Sequence, residues 1–399
     1  FKNTATSMGY HPFPTPTGLI SGPYTNQYGI PRNGCIYCGW CGGLCNYVCE
    51  VGAKSSSHVT TVPAALNTGK FDLRTFSTVY RIDLDNTGTT ATGVRYYDAQ
   101  GNTHIQPAAV VFNGIWGFNL TRLMLLSGVG NSWKQYDPVT VTGTIGRGLT
   151  NGYAPSVTSV RGTLNMGGNA YSSGNAAGGG YEIMDFADDN FDHTGQNFIG
   201  GAPISFGGYL GSGPNMLQTH LPSRTAFGST WKASLKDEKL PSKLTLSFGT
   251  AGTEIPTKDW YIGLDPHYKD IYGDPLARIT LDWGPNRWRP ADYIAPIAAN
   301  ILQQMGCTNI TTTNVPELSQ HVDWWGHHMR GGCRMGANPA TSAFNKWLQS
   351  WDVQNVFAAS EICDTFGDNT TAGTHVAGML SYLAADGIKK YLATPGQLA

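Results

Sequence analysis

The chain has 399 residues, enough for two or three domains, or for one large domain with an insertion, around a sizeable core. Its formal net charge of -1 gives no electrostatic reason to expect nucleic acid or an acidic membrane surface as partner. Charged residues form 13% of the chain, about half the usual share, while Gly, Asn, Thr, Trp and Tyr are plentiful, a balance that points outside the cytoplasm. No run of about 18 apolar residues is present, so no transmembrane helix is expected. The start FKNTATSMGYHPFPTP lacks the apolar core of a signal peptide, and it opens on Phe, as a processed mature form or a chain missing an upstream portion would.

Residues 1–34 are expected to form a loop, because each proline of HPFPTPTGLISGPY holds the residue before it extended. SSSHVTTVPAAL reads as a short helix. FDLRTFSTVYRIDLD and ATGVRYYDAQGNTHIQPAAVVFNG read as several strands with turns at Asn86, Gly88 and Gly101, ending in a buried strand at AAVVFNG. NLTRLMLLSG follows as a helix closed by glycine, so that strand, helix and turn make part of an α/β layer. From about 146 to 220 the chain is low in charge and rich in glycine, with NMGGNAYSSGNAAGGGYEIMDF expected to be a mobile loop or surface excursion. KLTLSFGTAG, WYIGLDP and LARITLDWG alternate as antiparallel strands. ADYIAPIAANILQQMG is an amphipathic helix closed by Gly306. The last helix, HVAGMLSYLAADGIKKYL, carries its apolar residues at Val376, Met379, Leu380, Leu383 and Ile388, with Lys389 and Lys390 suited to its C-terminal dipole.

NGCIYCGWCGGLCNYVC, residues 33–49, holds five of the eight cysteines. Cys35, Cys38, Cys41 and Cys45 follow the C-x2-C-x2-C-x3-C spacing of bacterial ferredoxins, with Cys49 one step further and Asn46 in place of the usual proline. Such short spacings let thiolates converge on an iron-sulfur cluster. Zinc bound by four thiolates, and disulfides or free thiols in an exported protein, are the other readings. Five cysteines cannot all pair among themselves, and neighbours so close in sequence make strained bridges. Cys307, Cys333 and Cys363 are dispersed, and Cys333 is most simply a core residue.

The C-terminal third carries HHMRGGCRMG (327–336), VQNVFAAS (353–360) and GDNTTAGTHVAGMLSYLAADGI. Upstream stand DFADDNFDHTGQNFIGGAPIS, WYIGLDPHYKDIYGDPLARITLDW, VVFNGIWGFNLTRLMLLSG and AKSSSHVTTVPAALNTGKFDLRTFSTVYRI. In this order the segments resemble the glucose-methanol-choline (GMC) flavoprotein oxidoreductases, and within them the bacterial branch of gluconate-type and polyol-type dehydrogenase flavoprotein subunits. The resemblance spans nearly the whole chain. It implies a mixed α/β fold with a split FAD-binding domain and an antiparallel-sheet substrate domain. The expected division is 1–145 as the remainder of the FAD domain with its cysteine-rich insert, 146–345 as the substrate domain, and 346–399 as the return to the FAD domain. The family begins with a strand, a G-x-G-x-x-G turn and a helix that binds the FAD pyrophosphate. No such unit occurs here, since GGNAYSSGNAAGGG has neither the strand before it nor the helix after it. That portion is expected to be cut off or carried by a separate N-terminal segment, unless the chain is a relative that has lost its flavin.

The resemblance also implies site residues. His328 aligns as the base that takes the substrate hydroxyl proton, and Asn369 as the partner that hydrogen-bonds the alkoxide, with His375 as rival. Trp324 and Trp325 would wall the substrate pocket or fill the core. FAD contacts fall at Val79, Asn113, Gly114, Ala359, Ser360 and Thr370, and Cys35, Cys38, Cys41, Cys45 and Cys49 supply ligands to a 3Fe-4S or 4Fe-4S cluster. The implied activity is FAD-dependent oxidation of an alcohol group of a sugar, polyol or sugar acid. The cluster would relay electrons to a cytochrome c subunit, in a periplasmic or extracellular complex with a small accessory subunit and membrane association through a partner. The alternatives are a non-catalytic electron-transfer or structural subunit, a cluster-free GMC oxidase, and a glycan-binding protein.

Overall fold

The computed structural model describes residues 1–16, 18–36, 49–129, 143–151, 158–165, 180–208, 228–237, 243–250, 253–281, 284, 286, 288–314, 329–365 and 373–398. Helix α1 (Lys2–Ser7), strand β1 (Phe13–Pro14) and the hairpin β2 (Tyr24–Thr25) and β3 (Pro31–Arg32) precede helix α2 (Thr61–Asn67). Strands β4 (Thr78–Leu84), β5 (Ala91–Tyr97) and β6 (Thr103–Pro107) form an antiparallel meander, followed by β7 (Val111–Asn113) and helix α3 (Phe118–Leu126). Next come β8 (Arg147–Asn151), β9 (Thr158–Asn165), β10 (Tyr181–Ile183), β11 (Ile204–Gly208), helix α4 (Gly228–Asp237), β12 (Lys243–Thr250), β13 (Tyr261–Lys269) and β14 (Pro275–Thr280). Helix α5 (Arg289–Gln304), β15 (Thr308–Asn314), β16 (Met329–Gly332), β17 (Val356–Ala358) and helix α6 (Gly373–Ala393) complete the order.

Two cores organise these elements. In the first, α5 lies on a six-stranded antiparallel sheet of order β1-β10-β11-β12-β9-β15. Its Ile294, Ala298, Ile301 and Leu302 recur at helical spacing and are fully buried against Val160, Ile183 and Ile204 of the sheet. Gly162 on β9 permits this approach, because a methyl there would stand 3.0 Å from Cys307 Cβ and 3.3 Å from Leu302 Cδ1. The second core gathers Ile82, Leu120, Met124, Leu149, Ile262, Met329, Phe344, Val356 and Leu380. It joins the meander, α3, the four-stranded sheet β14-β13-β8-β16, the parallel pair β7-β17 and α6. Among the described residues no helix is long and apolar enough to cross a membrane.

Three expectations need correction. Residues 1–34 are not wholly loop: Lys2–Ser7 is helical because Ala5 is fully buried in the α5 core, a tertiary gain that the proline-rich surroundings conceal. Of NMGGNAYSSGNAAGGGYEIMDF, expected to be a mobile loop or surface excursion, Tyr181–Ile183 form strand β10, ordered by pairing with β1 and β11; residues 166–179 lie outside the described ones. On α6 the buried residues are Leu380, Ala384 and Gly387, whereas Met379 is exposed. The expected strands of the meander, α3 closed by Gly128 and α5 closed by Gly306 are present, both glycines having positive φ.

Asn355 ties the meander to the parallel pair. Its Nδ2 donates to the carbonyls of Ala91 (2.7 Å) and Ala109 (3.0 Å), and its Oδ1 accepts from the Ala91 N–H (2.7 Å). Replacing Asn355 by Leu strands the two buried backbone groups of Ala91 and frees the more exposed Ala109 carbonyl, so chemical denaturation is expected to show a loss of about 2–3 kcal/mol; a loss under about 1 kcal/mol would mean that these bonds are readily replaced.

Candidate active site

The site begins where β7 and β17 end. They run parallel in the register Val111↔Val356 to Asn113↔Ala358. The Val111 N–H donates to the Asn355 carbonyl (2.9 Å), and the Ala359 N–H to the Asn113 carbonyl (3.2 Å). The carboxyl ends of parallel strands open a crevice that helices and loops wall in. Here the walls are Gly114 and Trp116 after β7, Ala359, Ser360 and Glu361 after β17, one face of α2, and the first turns of α6. They enclose a cavity of about 960 Å³, the size of a large small-molecule site.

Small side chains make the space. Ala64 and Ala65 of α2 and Gly373, Ala377 and Gly378 of α6 line it, with Thr61 and Thr68 of α2 and Thr374 and Ser381 of α6 beside them. Tyr28 and Tyr382, both exposed, meet hydroxyl to hydroxyl at 2.5 Å and fasten the β2-β3 hairpin to α6 at the cavity rim. The hydrogen bond holds the Tyr28 phenol below its ordinary value and raises that of Tyr382.

Charge inside the cavity is sparse and mostly paired. Arg330 on β16 is 2% exposed and forms an ion pair with Asp364. Gly331, next to it, has φ +70, and a side chain there would collide with the Gly148 carbonyl, so only glycine lets β16 lie this close to β8. Glu361 is 6% exposed, and its Oε2 accepts a hydrogen bond from the Ser360 hydroxyl at 2.9 Å. Burial pushes this carboxyl up, against smaller opposing effects from its own backbone N–H, Ser360 and Arg330. Beneath, Cys333 is fully buried beside the Thr121 hydroxyl (3.3 Å), and burial pushes its thiol up to about 12.

Of the residues expected at the cofactor, Gly114, Ala359 and Ser360 line this cavity. Asn113, buried at the end of β7, has an Nδ2 group without a hydrogen-bond partner among the described residues. Val79 sits in the meander, packed against the second core, and does not line the cavity. His375 is exposed on the first turn of α6 between the lining residues Thr374 and Ala377. It faces the charge of Glu182 on β10, whose carboxyl burial raises while His375 opposes the shift. His328, Asn369, Thr370, Trp324 and Trp325 lie outside the described residues. Reading the sequence missed Arg330, Glu361 and the α2 wall. The small residues at 373, 377, 381 and 385, four apart on one helix face, were the available signal for the α6 wall.

Cys38, Cys41 and Cys45 also lie outside the described residues, and among those described no group of three His, Cys, Asp or Glu is placed to hold a metal ion. Cys35 and Cys49 flank that segment on one small frame: the Cys35 N–H donates to the Ile20 carbonyl (2.7 Å), and the Ile20 N–H to the Ala53 carbonyl (3.1 Å). Burial would raise the Cys49 thiol, but hydrogen bonds from the backbone of Lys54, Ala53, Val51 and Gly52 together bring it below its ordinary value.

Comparison with known proteins decides the family. Residues 25–154 and 256–378 match the two family models described as GMC oxidoreductase. The chain belongs to the GMC oxidoreductase family. It is 35% identical to the gluconate 2-dehydrogenase flavoprotein of Pantoea cypripedii, over 100% of this chain and 63% of that protein. It is 27% identical to 2-methyl-1,2-propanediol dehydrogenase of Mycolicibacterium austroafricanum (98% and 65%) and 25% identical to the fructose dehydrogenase large subunit of Gluconobacter japonicus (97% and 64%). The chain thus spans just under two thirds of the length of these relatives. Pyridoxine 4-oxidase from Mesorbium loti shares the fold, with a TM-score of 0.50 and 12% identity over 80% of this chain and 58% of that one. The cavity fits the FAD that the family implies: much of its lining is glycine, alanine, serine and threonine, and the orphaned Asn113 amide lies beside lining Gly114.

Arg330 and Asp364 yield a test of this wall. Arg330→Leu leaves Asp364 without its partner and is expected to lower stability by about 3 kcal/mol. Removing both charges as Arg330→Leu with Asp364→Leu is expected to recover most of that loss in denaturant titrations, and a double variant no more stable than the single one would contradict the pairing account.

Proposed function

We propose that this chain is the larger part of an FAD-dependent dehydrogenase that oxidises an alcohol group of a sugar, polyol or sugar acid. The observation that carries the reading is the cavity at the carboxyl ends of β7 and β17, walled by α2 and the start of α6, in a chain of this family. The names of its relatives, acting on gluconate, a propanediol and fructose, support hydroxylated substrates.

FAD, when bound, supplies the acceptor for the hydride that leaves the alcohol carbon. Gly114, Ala359 and Ser360 would hold it against the strand ends, with Ala64 and Ala65 on one side and Ala377 on the other. The N-terminal end of α6, at Gly373 and Thr374, lines the cavity and brings the positive end of its dipole to it, which favours negative charge there. His328 takes the hydroxyl proton. Asn369, or His375 in its place, donates a hydrogen bond to the alkoxide as it forms.

In the same reading, residues 1–145 and 346–399 make up the FAD-binding part and 146–345 the substrate part. Cys35, Cys38, Cys41, Cys45 and Cys49 hold an iron-sulfur cluster that passes electrons to a cytochrome partner in the periplasm or outside the cell. The backbone N–H groups around Cys49, which favour its thiolate, support this part of the reading.

His328→Asn is expected to lower turnover by roughly 10²–10⁴-fold while the flavin spectrum is retained. Ala377→Trp, which fills the cavity, is expected to lose the flavin bands while the fold holds. Full activity in His328→Asn, or full flavin content in Ala377→Trp, would overturn the assignment of base or cavity respectively.

A further inference from the structure

The β2-β3 hairpin is anchored at its foot and touches α6 at its tip. At the foot Arg32, 4% exposed, donates from Nη2 to the Gly52 carbonyl at 2.6 Å, and Asn33 donates from Nδ2 to the Val51 carbonyl at 3.2 Å. The two arms close together there, because a methyl group added at Gly34 would stand 2.8 Å from Gly22 Cα. Residues 23–31 include none that is buried. Their ladder of two residue pairs, Tyr24↔Arg32 and Thr25↔Pro31, is marginal by itself. The tip is nevertheless a closed unit. Asn26 Oδ1 accepts from the Tyr28 and Ile30 N–H groups at 2.9 Å each, and the Asn26 N–H donates to the Ile30 carbonyl at 3.0 Å. Tyr28 on this tip meets Tyr382 of α6 hydroxyl to hydroxyl. Both tyrosines line the cavity, and at 41% and 64% exposure they place their bond at its mouth.

We propose that the β2-β3 hairpin is a strap across the mouth of the cavity, latched by the Tyr28–Tyr382 hydroxyl pair, which opens at the latch to let the cofactor in and out. The inference rests on the cofactor reading of the cavity given above. The foot is fixed by a buried arginine and two backbone carbonyls, whereas the bond from the tip to α6 is exposed, so opening starts at the tip. Water replaces an exposed hydrogen bond at small net cost, which keeps the open form accessible. The latch is made by two side chains of the protein itself, so it holds the strap over the filled and the empty cavity alike. Breaking it therefore speeds entry and release together and leaves the affinity unchanged, since it favours neither the bound nor the free state.

The test measures FAD association and dissociation by stopped-flow flavin fluorescence for the wild type, Tyr28→Phe, Tyr382→Phe and the double variant, with melting curves to check folding. Each single variant is expected to raise both rate constants about fivefold, the effect of one exposed hydrogen bond, with an unchanged dissociation constant. The double variant is expected to match the singles, because all three lack the same bond. A second measurement needs no FAD: with fluorotyrosine in place of Tyr28, its fluorine resonance is expected to shift when Tyr382→Phe is introduced. The strap is overturned if both single variants keep the wild-type rates, or if the double variant multiplies their effects, as two tyrosines acting separately would. It is equally overturned if release alone quickens and the affinity falls, as for a side chain that merely touches the cofactor, or if the fluorine resonance is indifferent to residue 382. Absence of FAD binding by all folded proteins, wild type included, would overturn the cofactor reading and the strap's role with it, whereas FAD binding at rates indifferent to both tyrosines would overturn the strap only.

Discussion

The arrangement depends on a three-residue parallel pairing. Residues 111–113 and 356–358 lie far apart in the chain, and Asn355 reaches a carbonyl 246 positions away. Joining such distant segments closes a very long loop, and the entropy of doing so must be offset by burial and hydrogen bonding. Val111, Val356 and Ala358 supply the burial in the second core, and Asn355 completes the backbone bonds of Ala91 and Ala109. Because the pairing ends at Asn113 and Ala358, the residues that follow each strand turn away side by side, and the cavity forms between them.

The second core then supplies the rest of the wall. Leu380 and Ala384 bury one face of α6 and leave Gly373, Ala377 and Ser381 on the face towards the cavity. The chain is sparing with charge, and several of its partly buried ionic groups are paired: Arg122 with Asp270 at 2.7 Å, Arg95 with Asp83 at 2.8 Å, and Arg330 with Asp364. Glu361 in the cavity wall is buried, and its Oε2 accepts a hydrogen bond from the Ser360 hydroxyl. The six-stranded sheet meets this region electrostatically through Glu182 and His375.

Much of the fold was legible where local pattern and burial agree. Helix α5 shows apolar residues at helical spacing and a closing glycine, and the meander shows alternating strands with turn residues between them. Other parts were hidden because long-range contacts decide them. Lys2–Ser7 is helical through the burial of Ala5 against a helix almost 300 positions away in the sequence, and TNITTTN is a strand because β9 lies beside it. The cavity was partly legible: AAS and FNG mark the two strand ends, and Gly114, Ala359 and Ser360 line it. Val79, in the meander, packs against the second core and is not among the residues lining the cavity. Glu361 was visible as the one charged residue within VFAASEIC, but its place in the cavity wall comes from the structure.

The central claim is that the cavity between α2, α6 and the ends of β7 and β17 is where FAD binds. Amide hydrogen exchange with and without FAD tests it most directly. The account predicts added protection confined to residues 57–68, 114–118, 359–364 and 373–385, with little change on α5 and its sheet. Protection centred on α5 and the six-stranded sheet, with none at those four segments, would contradict it.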